Sequence, residues 1–253
     1  MSFLINALHS INEYDDILEA ITNYTRPVNI VGPSDSQKVH ISCGICEHTG
    51  RKGVFITYNE MQARRVYEDF SFFLGDDVLF YPSKEIIMHD IEAKSYDDVF
   101  ERLKVIDRLI NGDYKFLVTS VEAISHKLVS KDLFVDNTLE FSIGLRINLS
   151  LTLQKFIEMG YERVDTVGVK GQFAVRGGII DIFPVNSEQA VRIELFDDEI
   201  DSMRSFDTLT QRSVDRVERV RVIPAREVIY TADEVDAIIS RIEEELISQS
   251  NYS

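Results

Sequence analysis

The chain has 253 residues and a formal net charge of −16, from 27 basic and 43 acidic residues. So acidic a composition argues against a nucleic-acid binder, because contacts with phosphates need a basic surface. No apolar run reaches membrane-spanning length, and no basic-then-apolar signal opens the sequence. We therefore expect a cytoplasmic protein that has no membrane partner and binds little or no nucleic acid on its own.

The first 140 residues alternate between apolar runs of strand length and amphipathic helical segments. The apolar runs predict strands at 28–31, 54–58, 78–81 and 116–119. The helical periodicity predicts two short helices within 3–23, broken near 12–16, and further helices at 61–74, 97–111 and 121–128. This alternation is typical of α/β domains with a doubly wound, mostly parallel sheet, the architecture of helicase-like nucleotide-binding domains.

The loop after the first predicted strand carries part of a phosphate-binding motif. That motif is a glycine, four residues, and then Gly-Lys-Ser/Thr. Gly32 and Lys38 match it, but Gln37 replaces the second glycine and Val39 replaces the hydroxyl residue. A side chain at position 37 crowds the backbone bend that cradles phosphate, and valine cannot ligate Mg²⁺. No Asp-Glu pair follows a predicted strand either, so we expect a degenerate loop, no cofactor and no catalytic residues.

The two cysteines, Cys43 and Cys46, have CxxC spacing without the second pair that a zinc site needs. They fall late in the helix predicted after the degenerate loop, whereas a redox pair lies at a helix start. We interpret them as buried thiols. The five histidines show no metal-ligand spacing, so the sequence predicts no metal site.

The most informative stretch lies between residues 171 and 206. Strand side chains alternate between two faces, so 191–196 divides into an apolar set and a set that contains Arg192 and Phe196. The same alternation in 173–176 puts Arg176 on the face opposite Phe173. Gly177-Gly178 interrupts that strand, Asp197-Asp198 predicts a turn, and 199–206 reads as the returning strand. Arginine and aromatic side chains on one face are typical of protein-binding hot spots.

Each of these three residues also has an ordinary interpretation. Phe196 is a core residue if a bulge shifts the strand register. Either arginine can be a solvated strand residue or part of an internal salt bridge. The sequence alone leaves a binding face and an ordinary sheet face equally open.

The motif residues carry a family resemblance. Phe173-Ala-Val-Arg-Gly-Gly-Ile-Ile-Asp-Ile-Phe-Pro184, with Thr210-Gln-Arg-Ser213 downstream, resembles the segment that bacterial transcription-repair coupling factors (Mfd) share with the excision-repair protein UvrB. The resemblance is most specific over 160–230. It implies that the small central domain recruits the repair protein UvrA. It also implies that UvrA contacts an arginine in the Val-Arg-Gly motif and the arginine and phenylalanine of Arg-x-x-x-Phe, which here are Arg176, Arg192 and Phe196.

The resemblance also implies a division into domains. Residues 1–140 are expected to form a UvrB domain 1a-like α/β domain with a non-functional phosphate loop. Residues 141–222 are expected to form a smaller α+β, UvrA-binding domain like UvrB domain 2. Residues 223–253 would begin a further, truncated, 1b-like domain that includes an acidic amphipathic helix at 232–248.

The charge distribution fits this division. Residues 141–222 carry 11 basic and 13 acidic residues, and all the basic ones except Lys155 and Lys170 are arginine. A nearly neutral, arginine-rich module suits a protein interface better than a DNA groove.

The function expected from the resemblance is that of a non-catalytic N-terminal piece of a coupling factor, which recruits UvrA to stalled transcription complexes. The longer protein would be an ATP-dependent DNA translocase, and its remaining domains would be the second partner. One alternative is a diverged UvrB-like, ATP-dependent repair enzyme. Another is a scaffold whose central module only packs against other parts of the chain.

Overall fold

The computed structural model describes residues 2–24, 27–84, 97–229 and 239–242. The chain divides into two compact units, Met1–Lys127 and Leu128–Ser253. The helices are α1 Ser2–Asn6, α2 Asn12–Thr22, α3 Asp35–Thr49, α4 Glu60–Leu74, α5 Asp97–Asn111, α6 Val121–Ser125, α7 Lys131–Asp136 and α8 Leu149–Glu158. The strands are β1 Gly53–Thr57, β2 Val78–Tyr81, β3 Phe116–Ser120, β4 Leu139–Ser142, β5 Glu162–Arg163, β6 Gln172–Arg176, β7 Ile179–Ile182, β8 Ala190–Phe196, β9 Glu199–Phe206, β10 Ser213–Arg216 and β11 Arg219–Val222.

The first unit is built on a parallel three-stranded sheet in the order β1-β3-β2. Helix α4 lies on one face of this sheet, where Phe70 stacks on Phe116 with ring centroids 4.2 Å apart. Asn59 caps the start of α4, because its side chain accepts a hydrogen bond from the Gln62 amide at 2.8 Å. Helix α5 packs its buried side chains, among them Leu103 and Ile106, on the side of β2.

The 3-10 turn Ala7–Ser10 and helix α2 approach α3 closely at Gly44. A Cβ at this position would lie 2.3 Å from Leu8 Cδ1 and 2.6 Å from the Tyr14 hydroxyl oxygen, so a larger residue would have to displace these side chains. The Tyr14 hydroxyl lies 2.8 Å from His48 Nδ1. The break between the two N-terminal helices is at Ile11 rather than at 12–16.

One predicted strand is wrong. Residues 28–31 form no strand, and Val28, Ile30 and Val31 are all exposed, Val31 to 84%. A β-type sequence becomes a strand only when a neighbouring strand completes its hydrogen bonds. Among the described residues the sheet ends at β1, which pairs with β3 alone.

The second unit contains a six-stranded sheet in the order β10-β9-β8-β7-β6-β5. It is antiparallel except for the short β5–β6 pair. Helix α8 covers one side through Phe156, which lies 5.3 Å from Phe173 between ring centroids. The antiparallel pair β4–β11 forms a separate two-stranded sheet.

The architecture is therefore mixed α/β, with one parallel sheet and further sheets that are mainly antiparallel. The predicted domain limits at 140/141 and 222/223 stay predictions. The acidic helix predicted at 232–248 lies for the most part outside the described residues.

Candidate partner-binding face

The register of β6–β9 shows which side chains share a face. Arg176 lies opposite Ile179, Ile179 opposite Glu194, and Arg192 opposite both Asp181 and Arg204. The other side of the same strands carries residues buried to near zero exposure: Phe173, Ile180, Ile182, Val191, Ile193 and Met203. The predicted alternation is thus confirmed, and Arg176 and Arg192 lie on the side away from this core.

Phe196 lies on the same side as the two arginines. A bulge that shifted the register could have turned Phe196 into the core. The register does shift between Glu194 and Leu195, but Phe196 still pairs with Glu199 and stays on this side. Phe196 is 79% exposed, so it is not a core residue. We call the set Arg176, Arg192 and Phe196, with Ile179 between them, the arginine–phenylalanine face.

Across strands β6, β7 and β8, one end of this sheet side is open to solvent and the other is covered. At the other end Ala174, Ala190 and Phe206 are buried beneath Val167, with Val164 and Phe183 packed alongside. The open end carries Arg176, Ile179 and Phe196, all exposed. A partner would therefore reach the face at the end where the β6–β7 and β8–β9 hairpins turn.

The position of Phe196 is fixed by the hairpin that follows it. Asp197 has a φ of 59°, the left-handed conformation that this two-residue turn requires. The segment 144–147 runs beside the hairpin, since the Ile147 amide donates to the Asp198 carbonyl at 2.8 Å and the Ile200 amide donates to the Leu145 carbonyl at 2.9 Å. Hydrogen bonds from the segment 144–147 therefore hold the backbone of the turn that follows Phe196.

Arg192 makes an internal salt bridge, one of the two ordinary interpretations of these arginines. Its Nε and Nη2 donate to the two carboxylate oxygens of Asp181 at 2.7 and 2.8 Å. Asp181 is 5% exposed, and the guanidinium carbon lies 5.0 Å from the Phe206 ring centroid. The hydrogen bond with Asp181 raises the pKa of Arg192 above its ordinary value. Arg192 is therefore held in one orientation, with its side chain 19% exposed.

Arg176 is exposed and is oriented by its neighbours. Its Nη2 donates to the Asp165 carbonyl at 2.7 Å and to the Thr166 hydroxyl at 2.9 Å. These are hydrogen bonds to neutral groups, so the guanidinium keeps its charge unneutralised. It can still pair with a carboxylate of a partner.

The sequence interpretation missed Asp181 as the group that holds Arg192. A signal was present in the strand Ile-Ile-Asp-Ile, where one carboxylate interrupts a fully apolar run. A charged residue in a buried strand needs a partner, and the cross-strand position opposite Asp181 is Arg192.

In the segment predicted to be a degenerate phosphate loop, the side chains bond to one another and to the local backbone. Gln37 Oε1 accepts a hydrogen bond from the Ser34 amide at 2.8 Å, in a capping box at the start of α3. Lys38 Nζ lies 2.9 Å from Asp35, and this hydrogen bond lowers the pKa of the Asp35 carboxyl. Val39 is fully buried. The Ser34 amide and the Lys38 ammonium therefore both have partners within the segment.

The predicted burial of the two cysteines is confirmed. Desolvation raises the pKa of the Cys43 thiol to about 12 and also raises that of Cys46. Within the described ranges no cluster of His, Cys, Asp and Glu could hold a metal ion. No described helix has the length and apolarity needed to cross a membrane.

Comparison with known proteins identifies the region that carries the face. Residues 139–228 match the family described as the UvrB interaction domain. The chain is 35% identical to the transcription-repair-coupling factor of Bacillus subtilis (strain 168), over 92% of this chain and 20% of the relative. It is 31% identical to that of Staphylococcus aureus (strain USA300), over 97% of this chain and 20% of the relative.

The chain spans about a fifth of the length of the curated relatives it matches. Arg176, Arg192 and Phe196 all fall within the matched 90-residue region, 139–228. Residues 139–228 therefore match the UvrB interaction domain family, in a chain that is similar over most of its length to curated transcription-repair-coupling factors.

Proposed function

We propose that this chain takes part in transcription-coupled nucleotide excision repair by recruiting UvrA through the arginine–phenylalanine face. The observation that carries the proposal is the exposed Phe196 beside two oriented arginines, within a UvrB interaction domain. Exposed aromatic and arginine side chains on a rigid sheet are the usual anchors of protein interfaces. The role is a cytoplasmic one, since bacterial transcription complexes lie in the cytoplasm.

The test is the affinity of the purified chain for purified UvrA, measured by calorimetry. Truncation of an anchor costs about 2 kcal/mol or more, so Arg176→Ala and Phe196→Ala should each weaken binding at least about thirtyfold. The exposed Arg65→Ala and Phe72→Ala, from helix α4 of the other unit, are matched controls that should bind as wild type. Equal affinity for all five proteins would reject the face.

We further propose that the first unit is a doubly wound domain of the P-loop class that no longer binds or hydrolyses ATP. The support is the parallel β1-β3-β2 sheet and the internally satisfied loop at Gln37 and Lys38. Any ATP-driven translocation would then belong to other parts of a longer protein. Residues 1–140, 141–222 and 223–253 are proposed as the corresponding domains.

The alternative, a diverged UvrB-like ATP-dependent enzyme, makes the opposite prediction for nucleotide. We expect no ATP hydrolysis above the buffer rate and no binding of a fluorescent ATP analogue, with or without UvrA or DNA. A variant with Lys38→Ala serves as the reference for background. Hydrolysis by wild type that Lys38→Ala abolishes would establish the enzyme instead.

A further inference from the structure

A row of arginines crosses the six-stranded sheet at one level. The aligned positions are Asp181 on β7, Arg192 on β8, Arg204 on β9 and Arg216 on β10, each the direct cross-strand partner of the next. Direct cross-strand partners project from the same face of a sheet. We call Arg192, Arg204 and Arg216 the arginine row.

The row is under-compensated. Asp181 neutralises Arg192, but neither Arg204 nor Arg216 forms an ion pair or a hydrogen bond with any side chain in the described part of the chain. Both are exposed. The nearby Glu194 carboxylate instead accepts a hydrogen bond from the Ser202 hydroxyl at 2.6 Å. Two carboxylates, those of Asp181 and Glu194, therefore lie near Arg192, and Arg204 and Arg216 have no ion-pair partner among the described residues.

Such an arrangement costs folding stability. Like charges directly opposite each other on antiparallel strands repel, and here Arg204 stands between Arg192 and Arg216. The chain has 43 acidic residues that could have been placed opposite these arginines. A ligand that supplies negative charge would relieve the repulsion between the guanidinium groups of Arg204 and Arg216.

The position of the row suits a polypeptide. Strand β10 is the edge of the sheet and is exposed at all four residues. Arginines on adjacent strands, whose backbones lie about 5 Å apart, can each take a carboxylate bidentately. A nucleic acid would bring a longer run of negative charges towards a chain of net charge −16 than the few carboxylates of a short peptide segment, so the overall charge opposes a nucleic acid more strongly.

We propose that the arginine row is a docking surface for an acidic segment of a protein partner, which lies across β8, β9 and β10 and pairs its carboxylates with Arg204 and Arg216. This surface extends beyond the arginine–phenylalanine face and shares only Arg192 with it. The inference does not rest on UvrA recruitment.

The experiment measures binding of a fluorescently labelled glutamate-rich peptide to the full chain by anisotropy. The double variant Arg204→Gln/Arg216→Gln should weaken binding at least about tenfold and flatten its dependence on salt. The control Arg65→Gln/Lys127→Gln removes the same charge from exposed positions elsewhere. It should leave the peptide affinity and its salt dependence unchanged. If both double variants lost peptide affinity equally, the effect would be due to net charge alone, and the proposal would be overturned.

Two further measurements complete the test. The melting temperature of Arg204→Gln/Arg216→Gln should equal or exceed that of wild type, because repulsion is removed and no partner is lost. A lower melting temperature would make the arginines structural and overturn the proposal. Duplex DNA should bind more weakly than the peptide; tighter binding of DNA that depends on Arg204 and Arg216 would also overturn it.

The outcome is separable from that of UvrA recruitment. If Arg176→Ala abolishes UvrA binding while Arg204→Gln/Arg216→Gln binds the acidic peptide as wild type does, the proposed function stands and the docking surface fails. If the peptide binds through Arg204 and Arg216 but UvrA does not bind wild type, the docking surface stands and UvrA recruitment fails.

Discussion

Arg192 and Asp181 depend on each other more than on any other side chain near them. The carboxylate of Asp181 is almost fully buried and is matched by two guanidinium hydrogen bonds. Removal of either partner leaves the other without its counter-charge in a poorly solvated place. Arg192 is thus both a candidate partner contact and a requirement for stable packing.

We predict that Asp181→Asn destabilises the protein by about 2 kcal/mol, since hydrogen bonds to charged groups are worth about that much. Urea unfolding measures the change. Asp201→Asn, at an exposed position of β9, is the matched control and should cost little. If the two variants unfold at the same urea concentration, the ion pair contributes nothing to stability.

The Arg192–Asp181 ion pair complicates the interpretation of UvrA binding by an Arg192 variant. Arg192→Ala leaves Asp181 buried and unpaired, so a loss of UvrA binding could reflect a disturbed sheet. The double variant Asp181→Asn/Arg192→Gln removes both charges and should recover most of the stability lost by Arg192→Ala, without recovering UvrA affinity. Recovery of both would show that Arg192 acts on binding only through the fold.

Among the elements, helix α4 is anchored to the end of β2 by one carboxylate. Glu60, in its first turn, accepts hydrogen bonds from the Ser83 amide at 2.8 Å, from the Ser83 hydroxyl and from Arg64 at 2.6 Å. Burial alone would raise the pKa of Glu60, but the hydrogen bonds from Ser83 and Arg64 outweigh it and lower the pKa.

This shift gives a pH-dependent prediction. A carboxyl whose folded pKa is lowered stabilises the fold above its unfolded pKa and loses that contribution as pH falls through the folded value. Glu60→Gln should therefore cost about 1 kcal/mol at pH 7 and progressively less below pH 4.5. The exposed Glu68→Gln is the control. A cost for Glu60→Gln that is the same at pH 3 and pH 7 would contradict this account.

Elements with a strong local signal could be predicted from the sequence, and those that depend on distant partners could not. The limits of Val78–Tyr81, Asp97–Asn111 and Glu199–Phe206 were predictable because periodicity, caps and turns act locally. The segment 28–31 has the composition of a strand but no described neighbour to pair with.

The candidate site divides in the same way. Strand alternation alone put Arg176, Arg192 and Phe196 on one face. The capture of Arg192 by Asp181 and the row formed with Arg204 and Arg216 depend on cross-strand register. Register is set by turns and bulges, such as the irregularities next to Glu194 and between Ser213 and Arg216, which the sequence pattern does not specify.

At the scale of the whole molecule, the candidate site is contained in one unit. The six-stranded sheet, helix α8 and the supporting segment 144–147 all belong to Leu128–Ser253. That unit has its own core, with Phe156, Phe173 and Ile180 fully buried. The degenerate phosphate loop belongs entirely to Met1–Lys127.

We therefore predict that residues 128–253, expressed alone, bind UvrA with the affinity of the full chain to within about threefold, which is less than 1 kcal/mol. Circular dichroism and a cooperative melt would first establish that the separate unit folds. Residues 1–127 are the control and should not bind. If the folded unit binds more than about tenfold more weakly than the full chain, residues of Met1–Lys127 contribute to the interface, and a recognition face confined to the second unit is wrong.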